Sequence, residues 1–105
     1  RRFGVVRLGR SDDFAELEHI GVDPLDAAFT AAALWALTRR RAKPVKNLLM
    51  DQTLLAGVGN IYANEALFRA GIRPRRAARS LRRVEVGRLH ACVRAVLAEA
   101  IELGG

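Results

Sequence analysis

One cysteine, two histidines and three prolines among 105 residues each close off a class of protein. Cys92, standing alone, excludes an internal disulfide, and with only His19 and His90 beside it no zinc-ligand cluster can be assembled within the chain. The longest uncharged apolar stretch, Ala27 to Leu37, is far short of the roughly 20 residues that a bilayer span needs. No signal-type segment opens the chain, so a soluble protein of a reducing, cytosolic compartment, without membrane contact, is expected. Half of the residues are apolar, which excludes intrinsic disorder and supplies one core for about one domain.

What is abundant is arginine. Eighteen cations stand against eleven anions, and all but Lys43 and Lys46 are arginine. The guanidinium fork matches phosphate geometry and keeps its charge, so nucleic acid is the leading class of partner. The charge is also unevenly spread. Residues 11–38 hold six acids and no Lys or Arg, whereas residues 39–94 hold fourteen cations against Asp51, Glu65 and Glu85. Such polarity steers a protein toward a polyanion.

The pattern reads as mostly α, with a short N-terminal strand remnant. Phe3 to Leu8 alternates loosely and reads as one strand at the end of a preceding β-rich unit and linker, residues 1–20, ahead of a helical domain, residues 21–105. Thr30 is placed to cap a helix of about ten residues that carries Leu34, Trp35 and Leu37. Pro44 suits a first helical position, followed by the stripe Val45, Leu48 and Leu49. Gly57-Val58-Gly59 forms a turn, Asn60 caps a third helix to about Ala70, and Gly71 with Pro74 ends it. A long last helix from about Val84 to Leu103 has Val86, Leu89, Val93, Val96, Leu97, Ala100 and Ile101 on its apolar face, with Arg82 or Arg83 as a poor cap. Trp35 and Tyr62 are assigned to the core, and His90 to a packed or half-exposed place. Asp51 and Glu65 are read as structural, Glu65 as a helix-start acid.

The informative stretch is PVKNLLMDQTLLAGVGNIYANEALFRAGIRP, residues 44–74. Physically it is helix, glycine turn, helix: small glycines admit a phosphate to the backbone, and the free N–H groups of the next helix point at it. Asn60 can donate its amide to a phosphate oxygen, and Lys46 supplies a point charge one helix away. An ordinary turn with Asn60 as a simple cap satisfies the same spacing. As a whole, however, the stretch resembles the helix–two-turn–helix core of the formamidopyrimidine-DNA glycosylases. The likeness extends upstream through Gly21-Val22-Asp23-Pro24-Leu25 and downstream to Gly104-Gly105.

That resemblance implies the DNA-binding domain of a bifunctional DNA glycosylase/AP lyase that excises oxidised purines in base excision repair. It implies phosphate contacts by Asn60, Lys46 and the backbone of Gly57, Val58 and Gly59. It also implies a wedge, in which Phe3 enters the stack of double-stranded DNA holding a damaged base and Arg2 faces the base left behind. The family's N-terminal proline nucleophile with its glutamate is not matched by Arg1-Arg2, and the internal Pro24, Pro44 and Pro74 have no free amine. The family's four-cysteine zinc finger would follow Gly105. The expectation is therefore a DNA-clamping fragment, monomeric and inactive by itself, with no catalytic residue, metal or cofactor of its own. The alternative is a non-catalytic nucleic-acid-binding module built on the same helix–two-turn–helix, to which a wedge at Arg2 and Phe3 would be of no use.

Overall fold

The computed structural model describes residues 21–102. Four helices follow one another, α1 (Ala31–Thr38), α2 (Val45–Met50), α3 (Asn60–Ala70) and α4 (Arg83–Glu102), with a 3-10 turn at Ala78–Ser80 before α4. The mostly helical reading holds. The expected strand, with Arg2 and Phe3, lies outside the described residues.

Helix α1 starts where Thr30 Oγ1 accepts the N–H of Ala33 at 3.0 Å. It is eight residues long rather than about ten: its end tightens into i→i−3 bonds, from the Arg39 N–H to the Ala36 carbonyl at 3.4 Å and from the Arg41 N–H to the Thr38 carbonyl at 3.3 Å, while the Thr38 hydroxyl donates to the Trp35 carbonyl at 2.7 Å. Arg41 then donates to the Leu37 carbonyl at 2.8 Å, closing the carbonyl end of the helix. Trp35 is half-buried rather than core: the guanidinium carbon of Arg39 lies 3.5 Å from its ring centroid and that of Arg83 4.6 Å.

Pro44 is the cap of α2 rather than its first residue. The stripe Val45, Leu48 and Leu49 is fully buried as expected, and joins Phe29, Leu34, Leu55, Val58 and Leu67 in one core. Burying each such side chain is worth about 1.5–3 kcal/mol. Helix α4 is the floor of the domain, packing along α3 and under α1. Its stripe from Val86 to Leu97 is buried, but Ile101 is exposed because nothing among the described residues covers the last turn. The start of α4 is better capped than its sequence implies. The Glu85 carboxylate reaches back to accept the Arg82 N–H at 2.8 Å, the glutamate half of a capping box.

Two loop pairings fix the connections. Val22 bridges to Leu55, with Gly21 N–H donating to the Gln52 carbonyl (2.7 Å) and Ala56 N–H to the Val22 carbonyl (3.0 Å). A Cβ on Gly21 would lie 2.1 Å from the Leu54 carbonyl carbon, so only glycine permits this approach. The segment before α2 pairs antiparallel with the one before α4: Val45 N–H donates to the Arg76 carbonyl (2.7 Å), Lys46 N–H to Pro74 (3.2 Å), Ala78 N–H to Lys43 (2.9 Å) and Arg79 N–H to Arg41 (3.0 Å). From α4, His90 Nε2 lies 2.7 Å from the Phe29 carbonyl oxygen, and Arg94 donates to the carbonyls of Pro24 and Asp26.

Candidate nucleic-acid interface

The turn between α2 and α3 is built around two side chains. Asp51, just past α2, accepts from the Thr53 hydroxyl (2.6 Å), the Thr53 N–H (3.0 Å) and the Lys43 ammonium (2.9 Å). The bonds from Thr53 first, then that from Lys43, hold its carboxyl down at about 2. Gln52 next takes the Gly57 N–H on its Oε1 at 2.8 Å, in a backbone that is left-handed at Gly57 (φ 83). Val58 is buried and anchors the turn from below. The chain thus reaches α3 along a path set by its own hydrogen bonds.

Helix α3 begins unlike its neighbours. The cap is Gly59 (φ −88, ψ 179), which has no side chain to offer, and Asn60 is the first helical residue rather than the cap expected of it. Among the described residues no acceptor takes the N–H groups of Val58, Gly59, Asn60, Ile61 or Tyr62. At α1 Thr30 serves the Ala33 N–H, at α2 the carbonyls of Arg76 and Pro74 serve those of Val45 and Lys46, and ahead of α4 Glu85 serves that of Arg82. Among the described residues α3 leaves the longest run of donors open, with no side-chain cap, at the positive end of an eleven-residue dipole. A row of this kind can seat an anion.

The side chains fit it in part. Asn60 is exposed, and its amide has no partner among the described residues. Lys46 is half-buried on α2, which packs against α3, and its ammonium is likewise unpaired among the described residues. Of the backbone contacts expected at Gly57, Val58 and Gly59, Gly57 differs: its N–H already serves Gln52 and is not free for a ligand. Sequence reasoning misses Gln52, because a glutamine five residues before a glycine carries no signal until the turn is folded. Tyr62 is half-buried against the core rather than inside it. Glu65 lies mid-helix, not at the start, and is bound to Arg69 at 2.9 Å, which also forks onto Glu99 of α4. The outer face of α3 leaves Ile61 and Phe68 76% and 81% exposed, beside a groove lined by Asn64, Leu67, Ile72 and Pro74.

The family pattern described as the formamidopyrimidine-DNA glycosylase H2TH domain matches residues 20–105. The chain belongs to this family. Formamidopyrimidine-DNA glycosylases of Halorhodospira halophila and Geobacter metallireducens are 53% and 59% identical to it over 107 and 106 residues, which is 100% and 99% of this chain and 40% of each relative. It therefore spans about two fifths of the length of the curated relatives it matches. The crystal structure of the Thermus thermophilus MutM (Fpg) protein superposes with a TM-score of 0.83 at 49% identity, over 92% of this chain and 36% of that one. The Lactococcus lactis Fpg in complex with DNA containing an abasic site superposes at 0.81 and 32% identity, with the same coverage. Among the described residues no three His, Cys, Asp or Glu side chains converge to hold a metal ion. No helix among the described residues is long and apolar enough to cross a membrane.

Proposed function

We propose that this chain is the DNA-clamping helical domain of a bifunctional glycosylase/AP lyase that removes oxidised purines. Its part is to hold the backbone of damaged double-stranded DNA rather than to perform the chemistry. The observation that carries the reading is the uncapped start of α3, whose free N–H groups lie beside the unpaired amide of Asn60. A phosphate seated there would accept hydrogen bonds from the backbone and from Asn60, with Lys46 adding charge from α2. Clamping fixes the strand on either side of a nucleotide that must leave the stack, and unstacking costs a few kcal/mol that such contacts offset. A wedge at Phe3 and Arg2 belongs to the same reading. Asp51, Glu65, Glu85 and Glu99 are all ion-paired, which fits a binding role better than acid/base work. The reading includes a monomer acting in the cytoplasm of a bacterium, since the relatives named above are bacterial.

The test is Asn60→Asp. The side chain is exposed and makes no internal bond, and an acid in the first turn favours the dipole, so the melting temperature should not fall. Affinity for a short duplex with one abasic-site analogue, read by fluorescence anisotropy, should fall about tenfold or more, the loss of a charge-assisted bond of about 1.5–3 kcal/mol. Lys46→Ala should weaken binding and flatten the log–log salt dependence by about one. Wild-type affinity in a stably folded Asn60→Asp protein refutes the reading.

A further inference from the structure

The arginine cluster between α3 and α4 is not uniform, and the fold divides it. Arg76 forks onto Glu85 at 3.0 and 3.1 Å and holds the Ser80 carbonyl at 3.0 Å. Arg82 lies 3.6 Å from the same carboxylate, and Arg83 lies over Trp35. These three serve the structure. Arg73, Arg75 and Arg79 are exposed and have no hydrogen bond, ion pair or ring contact from their side chains among the described residues. The acids near them are already used: Glu85 is taken by Arg76 and Arg82, and Asp51 by Lys43.

Their backbone is not a loose loop. The four hydrogen bonds between residues 41–46 and 74–79 pin it, and the Arg76–Glu85 fork pins it again from α4. The same pairing brings Lys46 to the loop, through its N–H on the Pro74 carbonyl. Three cations with nothing among the described residues to neutralise them are therefore held on one short, pinned segment, with Lys46 beside it in the first turn of α2. A solvated charge run gains nothing from such anchoring. A polyanion-binding strip does, because little backbone entropy remains to be lost on binding.

We propose that Arg73, Arg75 and Arg79 form a second phosphate track, which grips the DNA backbone beyond the seat at the start of α3 that Lys46 serves. The proposal rests on the reading of the chain as a DNA clamp. Arg73 to Arg79 is at most about 20 Å of chain, and one strand of duplex presents about six phosphates over that length of axis, so three contacts fit. Neutral amides at α3 release few counterions. The track, with Lys46, therefore supplies the salt dependence: four contacts correspond to a log–log slope of about −3 to −4.

The experiment compares the 105-residue chain with R73Q/R75Q/R79Q on one duplex across about 50–200 mM salt. Wild type should show the steep slope and the triple variant a slope near −1, so that their affinity ratio shrinks about 40-fold over that range. Thermal melting should be unchanged or raised, since only unpaired, mutually repelling charges are removed. R73K/R75K/R79K keeps the charges and should keep the slope. A triple glutamine variant with the wild-type slope overturns the track, as does a lysine variant that loses as much as the glutamine one. In either case Asn60→Asp still lowers affinity if the clamp itself is real. If wild type does not bind, or if Asn60→Asp binds as wild type does, the clamp fails first.

Discussion

Glu85→Gln separates the structural half of the arginine cluster from the rest. The Glu85 side chain is 9% exposed and accepts two bonds from Arg76 and one from the Arg82 N–H. The fork from Arg76, then the backbone bond from Arg82, draw its carboxyl down from 4.5 to about 2. A carboxyl whose folded pKa lies below its unfolded one stabilises the fold above the unfolded value, and that stability is lost as pH falls through the folded value. The window is therefore between about 4.5 and 2. At neutral pH the shift is worth at most about 3 kcal/mol, and about 2 once screening at the one-third-exposed Arg76 is allowed for. Glutamine keeps the shape and an acceptor but loses the charge, and it turns an amide N–H toward a guanidinium. The melting temperature at pH 7 should drop on the order of 10 °C. Followed by circular dichroism, the gap between wild type and variant should shrink to less than half by about pH 3 and nearly close at about pH 2. Asp51 titrates in the same range in both proteins and cancels in the difference. A gap that is constant from neutral pH down to about pH 3, or absent at neutral pH, refutes the argument.

Gly21→Ala should cost more than about 2 kcal/mol in urea unfolding, because its Cβ would meet the Leu54 carbonyl carbon at 2.1 Å and displace the 21–22 pairing with 52–56. Thr30→Ala should cost about 1 kcal/mol through the lost bond to the Ala33 N–H, and should leave DNA affinity untouched because α1 takes no part in the clamp.

The helices are legible where apolar spacing and punctuation agree. Val45, Leu48 and Leu49, the α4 stripe, and Gly71 in its left-handed stop (φ 73) follow from local rules. What is illegible depends on contacts made over distance. Glu85 as a cap requires Arg76 to orient it, and part of the cationic cover over Trp35 comes from Arg83 of another helix. The site is legible in its residues but not in its division of labour. Cap preference puts Asn60 one position early, and nothing local reveals that a glycine fills that position and leaves the donors open. Nothing in the sequence divides Arg73, Arg75 and Arg79 from their neighbours, and only the fold shows that Arg76, Arg82 and Arg83 are engaged.

The uncapped start of α3 sets stability against binding, and Gly59→Asp exposes the conflict. At Gly59 the backbone is extended, as an N-cap requires, and a Cβ there meets nothing within 4 Å, so aspartate fits without strain. Aspartate is among the best N-caps while glycine is only slightly worse, so the gain is a few tenths of a kcal/mol and a rise of about 1–3 °C in melting temperature. The same carboxylate would occupy the donors of Ile61 or Tyr62 and repel a phosphate, so affinity should fall tenfold or more. Thr30→Asp is the matched control, since it puts the same acid at the same position of α1 and changes the net charge equally. If Gly59→Asp melts higher and binds weakly while Thr30→Asp binds almost as wild type, the open donors of α3 are the seat. Equal losses in the two variants would mean that only overall charge matters, and the case for a built phosphate site at Gly59 and Asn60 would fall.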